Sequence, residues 1–174
     1  MRPPLLLEKQ LIMLSRRLRA RALSRAALMR LRRFAGRAQK VAGLEGMTDF
    51  LLAPDAELRA LNRKFRGKNS VTDVLSFSPA SGLGGEIAMA VGLARRQARE
   101  HGHALEEEIK ILMLHGILHL AGMDHERDGG RMKAREELLR GRLGLPCGLL
   151  ARSAGKPASR LSKRESRGVK RSKR

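Results

Sequence analysis

Residues 109–121 read IKILMLHGILHLA, and nine of the thirteen are large apolar residues or alanine. They leave no polar stripe at the 3.6-residue period, so a helix here must be buried on every side. Such a helix has to be the centre of the fold, with the other elements packed around it. Two histidines interrupt it, His115 and His119. Four residues apart, they share one helix face about one turn from each other, close enough to grip a single ion. Gly122 ends the run, and a turn there brings Asp124 and His125 back toward the same face. Three of the five histidines thus fall within eleven residues. An unpaired polar group in so apolar an element costs about 1–3 kcal/mol, and a shared metal ion explains all three imidazoles at once. His101 and His103, in the link EHGHA, are expected to be solvated loop residues outside the site.

Elements on both sides follow from periodicity and capping. Ser24 stands at an N-cap position before Leu28, Leu31, Phe34, Ala35, Ala38 and Val41, with Gly43 after the last turn, which predicts a helix over 25–42. MTDFLLA is a short apolar strand, and Pro54 opens a helix over 55–65 that places Leu58, Leu61 and Phe65 on one face. Val74, Leu75 and Phe77 mark a second strand, and Glu86 to Val91 a third with Ile87, Met89 and Val91 on one side. Further helices are expected over 92–100, 105–121 and 130–142. Near the start, Leu18, Ala20 and Ala22 alternate with Arg17, Arg19 and Arg21, the pattern of a half-buried edge strand over 17–23.

Charge divides the chain into three parts. The net charge is +20, yet residues 41–150 hold 15 basic and 15 acidic side chains. The excess lies at the ends: residues 1–40 have 12 Lys or Arg against one Glu, and residues 151–174 have 10 against one. Such ends attract a polyanion through counterion release, and with Tyr and Trp absent they suit phosphates rather than stacked bases. Nucleic acid is expected as the partner and a membrane is not; the plainer alternative is that the basic ends only keep the protein in solution. No stretch approaches the roughly 20 apolar residues of a spanning helix. The single cysteine, Cys147, excludes an internal disulfide and a cysteine-based zinc site. From Ala151 onward Leu161 and Val169 are the only large apolar residues, too few to offset the entropy of ordering, so a disordered tail is expected.

The string HGILHLAGMDH has the form H-G-x-L-H-L-x-G-x-D-H and resembles the YbeY family of bacterial rRNA maturation ribonucleases. Two further blocks stand upstream in the family's order, LNRKFRGKNSVTDVLSF over 61–77 and GGEIAMA over 84–90, so the resemblance covers about residues 25–145. Val71 replaces the usual proline, Met123 the usual aromatic, and both basic termini extend past the common core. The resemblance implies an α/β (α+β) single domain, a small mixed sheet packed by about five helices, with the metal site at the end of the buried central helix. The domain is expected over 17–148, between an extension at 1–16 and a basic tail at 149–174. It further implies one zinc ion per chain held by His115, His119 and His125, with Arg66 of the FRGK block acting on the phosphate. The implied activity is zinc-dependent, single-strand-specific endoribonuclease cleavage in ribosomal RNA processing, at the 3′ end of small-subunit rRNA, and in ribosome quality control. Single-stranded RNA, ribosomal RNA and the small ribosomal subunit are the implied partners. The bacterial cytoplasm is the expected location. Organellar import is the lesser alternative raised by the Arg-rich start.

Residue chemistry fits this reading. Gly116 stands where the H-E-x-x-H of metalloproteases has its general base, which argues against peptide hydrolysis and leaves room above an ion. With three imidazoles and one open position, zinc would keep a water whose pKa falls to about 7; the ribose 2′-hydroxyl is the alternative nucleophile. Arg66 offers a planar fork for phosphate oxygens, against the alternative of an ordinary surface arginine. Asp124 is expected to orient His119 or His125, to cap the turn, or to be a fourth ligand. Asp73 and Glu86 are carboxylates at strand edges that either face the cleft or, for Asp73, bond a turn. Two other functions remain open from sequence: an RNA-binding assembly factor with structural zinc, and a hydrolase of another phosphoester or an amide.

Overall fold

The first helix begins where Ser24 accepts the Ala27 N–H at 3.1 Å through its hydroxyl, satisfying a donor that the helix itself leaves open. In this computed structural model, which describes residues 23–146 except 80, 81 and 126, α1 runs Arg25–Ala42, the expected span. Then come β1 (Thr48–Ala53), α2 (Asp55–Arg66), β2 (Val74–Phe77) and β3 (Gly85–Ala90). The chain continues with α3 (Val91–His101), α4 (Leu105–Leu120) and α5 (Arg131–Leu143). The strand expected over 17–23 lies outside the described residues apart from Leu23, which packs against the core. The extension at 1–16 and the tail at 149–174 lie outside them entirely.

The sheet is mixed, in the order β1-β3-β2. β1 runs parallel to β3, Thr48 facing Gly85 and Ala53 facing Ala90. β2 runs antiparallel to β3, Val74 facing Met89 and Phe77 facing Glu86. A central strand is covered on both faces, so one-sided burial fails for β3: Ile87, Ala88, Met89 and Ala90 are all buried. Ile87 and Met89 join Leu31, Phe34, Leu114 and Met132 beneath α1, α4 and α5. Ala88 and Ala90 join Leu51, Leu58, Leu61 and Leu75 beneath α2. The result is an α/β domain with helices on both faces of three strands.

Val91, expected in the third strand, instead opens α3. A carboxylate from another helix decides this: Asp55 Oδ1 accepts the Leu93 N–H at 3.0 Å and its Oδ2 meets Arg96 at 3.0 Å. An acceptor at the open end of a helix is worth about as much as an N-cap side chain, and here it is supplied from α2.

From Glu108 to Leu120 only Lys110, His115 and His119 are less than fully buried, so α4 is the central helix the apolar run required. Glu107 accepts the Ala104 N–H at 2.9 Å at its start. Arg30 of α1 donates to both carboxylate oxygens of Glu106 at 2.6–3.0 Å, and that bonding holds the Glu106 carboxyl down at about 2. Gly116 lets α4 lie against the sheet. A Cβ there would stand 2.8 Å from Ile87 Cγ2 and 3.1 Å from Ser76 Oγ, while the Ser76 hydroxyl donates to Gly116 O at 3.2 Å. The glycine therefore serves helix-to-sheet packing rather than space above an ion. Gly116→Ala is expected to destabilise the fold by about 1–3 kcal/mol through overpacking. Urea unfolding of the two proteins measures this, and an unchanged midpoint would mean that the sheet yields freely at Ile87.

Candidate metal centre

His115 and His119 occupy the last two turns of α4, and their Nε2 atoms face each other at 3.1 Å. The other nitrogen of each ring is engaged. His115 Nδ1 bonds Glu136 Oε2 at 2.8 Å, and Arg140, one turn on in α5, bonds the second oxygen of the same carboxylate. His119 Nδ1 bonds Met123 O at 2.9 Å. An ionised carboxylate and a carbonyl only accept, so in both rings Nδ1 carries the proton and Nε2 the lone pair. Beyond α4, Gly122 takes φ +85°, a left-handed turn that an L side chain resists. It folds the chain back so that the His125 ring centre lies 5.3 Å from His115 and 5.2 Å from His119.

One ligand atom from each of the three imidazoles lies within 4.8 Å of the other two. Two lone pairs aimed at each other across 3.1 Å repel unless a cation stands between them. On a tetrahedral zinc ion with bonds of about 2.0–2.1 Å, two nitrogens sit about 3.3 Å apart. The donor set fits such an ion. Burial lowers the His119 pKa, and the neighbouring His115, His125 and Arg66 side chains add to it against the Met123 bond, which raises it. That favours the neutral ring, the form a ligand requires.

Sequence reasoning assigned no residue to hold His115. Glu136 does so from α5, and Arg140 holds Glu136. Burial alone would push the Glu136 carboxyl up, but the His115 and Arg140 bonds bring it below the usual range. A signal was present: Met132, Glu136 and Leu139 form the buried face of α5, with a carboxylate where an apolar residue belongs. Glu136→Ala is expected to weaken metal binding by about 10–100-fold, the usual cost of losing the partner that orients a ligand. Glu136→Gln loses less, because its amide oxygen can still accept from Nδ1. Competition with a chromophoric chelator reads both; equal affinity in the parent and Glu136→Ala would mean that packing alone orients His115.

Asp124 does not orient His119, whose Nδ1 goes to the Met123 carbonyl. Its own carbonyl accepts the Arg127 N–H at 3.0 Å, within the turn. Asp73 bonds the Val74 N–H at 2.9 Å and Gln97 at 3.3 Å, the turn-bonding alternative. Glu86 sits in β3 opposite Asp49 and Phe77. His103 is no solvated loop residue, its side chain being 7% exposed and paired with the buried Glu108; chain reversal after α3 turns it inward.

Arg66 is the last residue of α2 and exposed. The Phe65 ring packs edge-on against Phe77 at 5.1 Å between centres. Asn62 Nδ2 donates to Ser70 O at 2.8 Å, and Arg59 to the Asn69 side chain at 3.0 Å. These contacts tie the end of α2 to β2 and to the loop that follows it, and the Arg66 charge adds, as the smallest of several influences, to the lowering of the His119 pKa.

Comparison with known proteins agrees in extent with the fold. The family described as "Endoribonuclease YbeY" matches residues 16–144. The Endoribonuclease YbeY of Solibacter usitatus is 56% identical over 121 residues, 69% of this chain and 82% of that relative. The Endoribonuclease YbeY of Koribacter versatilis is 51% identical over 136 residues, 77% and 88% respectively. A solution structure from Thermotoga maritima is 28% identical, covers 80% of this chain and 93% of that one, and has a TM-score of 0.47. With the family matching well over half of its length, this chain belongs to the Endoribonuclease YbeY family.

Proposed function

We propose that the protein is a zinc-dependent endoribonuclease that cleaves single-stranded RNA in ribosomal RNA processing, at the small-subunit 3′ end and in ribosome quality control. Its catalytic unit is residues 17–148, with the basic ends at 1–16 and 149–174 as RNA-binding additions. His115, His119 and His125 hold one zinc ion, and Arg66 acts on the scissile phosphate. The observation that carries this reading is the convergence of three imidazoles on one point.

When bound, the ion supplies Lewis acidity at the scissile phosphodiester. The remaining roles belong to side chains of this protein. Arg66 pairs its guanidinium fork with two phosphate oxygens and steadies the charge that grows on them. Glu136 fixes the His115 ring and the Met123 carbonyl the His119 ring, so both Nε2 atoms stay aimed at one point. Cleavage of a single-stranded RNA by the purified protein, with and without chelator and beside His119→Ala, tests the reading. Cleavage that persists in chelator would overturn it.

The basic ends bind the RNA backbone in this scheme. Deleting residues 151–174 removes ten Lys or Arg and is expected to weaken RNA binding and flatten its dependence on salt. Zinc content and cleavage of a short oligonucleotide stay near the parent level. An unchanged salt slope would refute a role for the tail. The bacterial cytoplasm is the proposed location, because residues 1–40 include most of α1, whose Phe34 and Ala38 are buried in the core. Removing them as a transit peptide would dismantle the domain. Among the described residues no helix is long and apolar enough to cross a membrane.

A further inference from the structure

A second group of metal-ligating side chains lies at the other end of α4. Residues 101–108 read HGHALEEE. His101 ends α3, and Gly102 follows at φ +68°, a left-handed reversal that swings the next residue back over the helix end. The reversal is closed by the His103 N–H donating to Ala98 O at 3.0 Å. It brings the His101 and His103 rings together, 5.5 Å between centres and tilted by 38°.

The three glutamates that open α4 have separate partners. Glu106 bonds Arg30 and Lys110. Glu107 bonds the Ala104 N–H. Glu108 turns inward with 4% of its side chain exposed, one oxygen on His103 Nε2 and 3.7 Å from His101 Nδ1. A buried carboxylate needs a counter-charge, and among the described residues the ion-pair partners of Glu108 are these two imidazoles alone. His103 Nδ1 is buried without a hydrogen-bond partner, so Nε2 is the nitrogen through which that ring is held; it donates to the Glu108 carboxylate here, and an ion bound between the two displaces that proton to solvent.

We propose that His101, His103 and Glu108 form a second binding site for a divalent transition ion of the zinc class, clasping the end of α3 to the start of α4. One ligand atom from each of the three residues lies within 4.8 Å of the other two. Two imidazoles with one carboxylate suit zinc-class ions, whereas calcium and magnesium prefer oxygen ligands throughout. His101, with 59% of its side chain exposed, leaves the remaining coordination position open to water. A divalent cation also supplies the counter-charge that the buried Glu108 carboxylate needs. Glu108 precedes His115 by seven residues, about 10 Å along a helix, so this ion is separate from the first. Its role is structural, and it fastens the helix whose far end carries the first centre.

The test uses full-length protein stripped with chelator and titrated with zinc alone. His115→Ala/His119→Ala, which removes two ligands of the first centre, is expected to bind about one zinc ion, the occupancy of one three-ligand site. Adding His103→Ala abolishes that binding. Because His103 is buried and its loss risks the fold, His101→Ala in the otherwise unaltered protein is the second arm. It is expected to lose the second equivalent or bind it at least about 10-fold more weakly, while RNA cleavage and the first equivalent are retained. The proposal fails if the His115→Ala/His119→Ala protein, folded by circular dichroism, binds no zinc. It fails equally if His101→Ala binds two equivalents as tightly as the parent.

Discussion

His119→Ala is expected to abolish RNA cleavage and to remove one equivalent of zinc from the purified protein. Losing a ligand outright must exceed the roughly 10–100-fold cost of losing a partner that merely orients one, so the effect is larger than for Glu136→Ala. The reason is geometric. His119 Nε2 faces His115 Nε2 at 3.1 Å, and without it the two remaining imidazoles offer no closed face to an ion. Elemental analysis gives the first readout and single-turnover cleavage of a single-stranded RNA the second. Circular dichroism establishes that the variant is folded. Cleavage at the parent rate in chelator-treated buffer would remove the histidine centre from the mechanism, whatever the metal content.

Arg66→Ala is expected to leave the protein folded and metal-loaded yet slow cleavage by a factor on the order of 10²–10³, the range for losing one donor that stabilises developing charge. Arg66→Lys recovers little, because a point charge cannot reproduce the two parallel bonds of the guanidinium fork. Arg66 is exposed at the end of α2 and buries nothing whose loss would unfold the domain. Phe65 and Asn62, which hold that helix end in place, remain intact in both variants. Saturating single-turnover rates separate a slower chemical step from weaker binding. An Ala variant that cleaves at the parent rate once saturated would make Arg66 a binding residue only.

What the sequence could reveal was local. Ser24 and Gly43 bracket α1 because a cap and its helix are a few residues apart. The all-round apolar run over 109–121 announced α4 as the central helix, and burial on every side of it follows from composition alone. The pair His115 and His119 was legible because helical spacing puts residues four apart on one face. The return of His125 was legible because Gly122 marks a left-handed turn. The motif blocks named the family for the same reason, each being a contiguous string.

Tertiary structure decided everything that depends on residues far apart in the chain. Asp55 caps α3 from 38 residues away, and that bond converts Val91 from strand to helix. Glu136 reaches His115 across 21 residues and fixes which nitrogen faces the ion. Gly116 reads as space near a metal until the sheet is seen to occupy it with Ile87 and Ser76. His103 reads as a loop residue until Glu108 is seen to bury it. Hydrogen bonds and close packing act over a few ångströms, and only the packing of α4 against the sheet and its neighbouring helices brings these partners within that range. Periodicity, turns and the caps made by neighbouring residues were therefore set by the sequence alone, while the cap of α3 and the partners that orient the histidines were set by the assembled core.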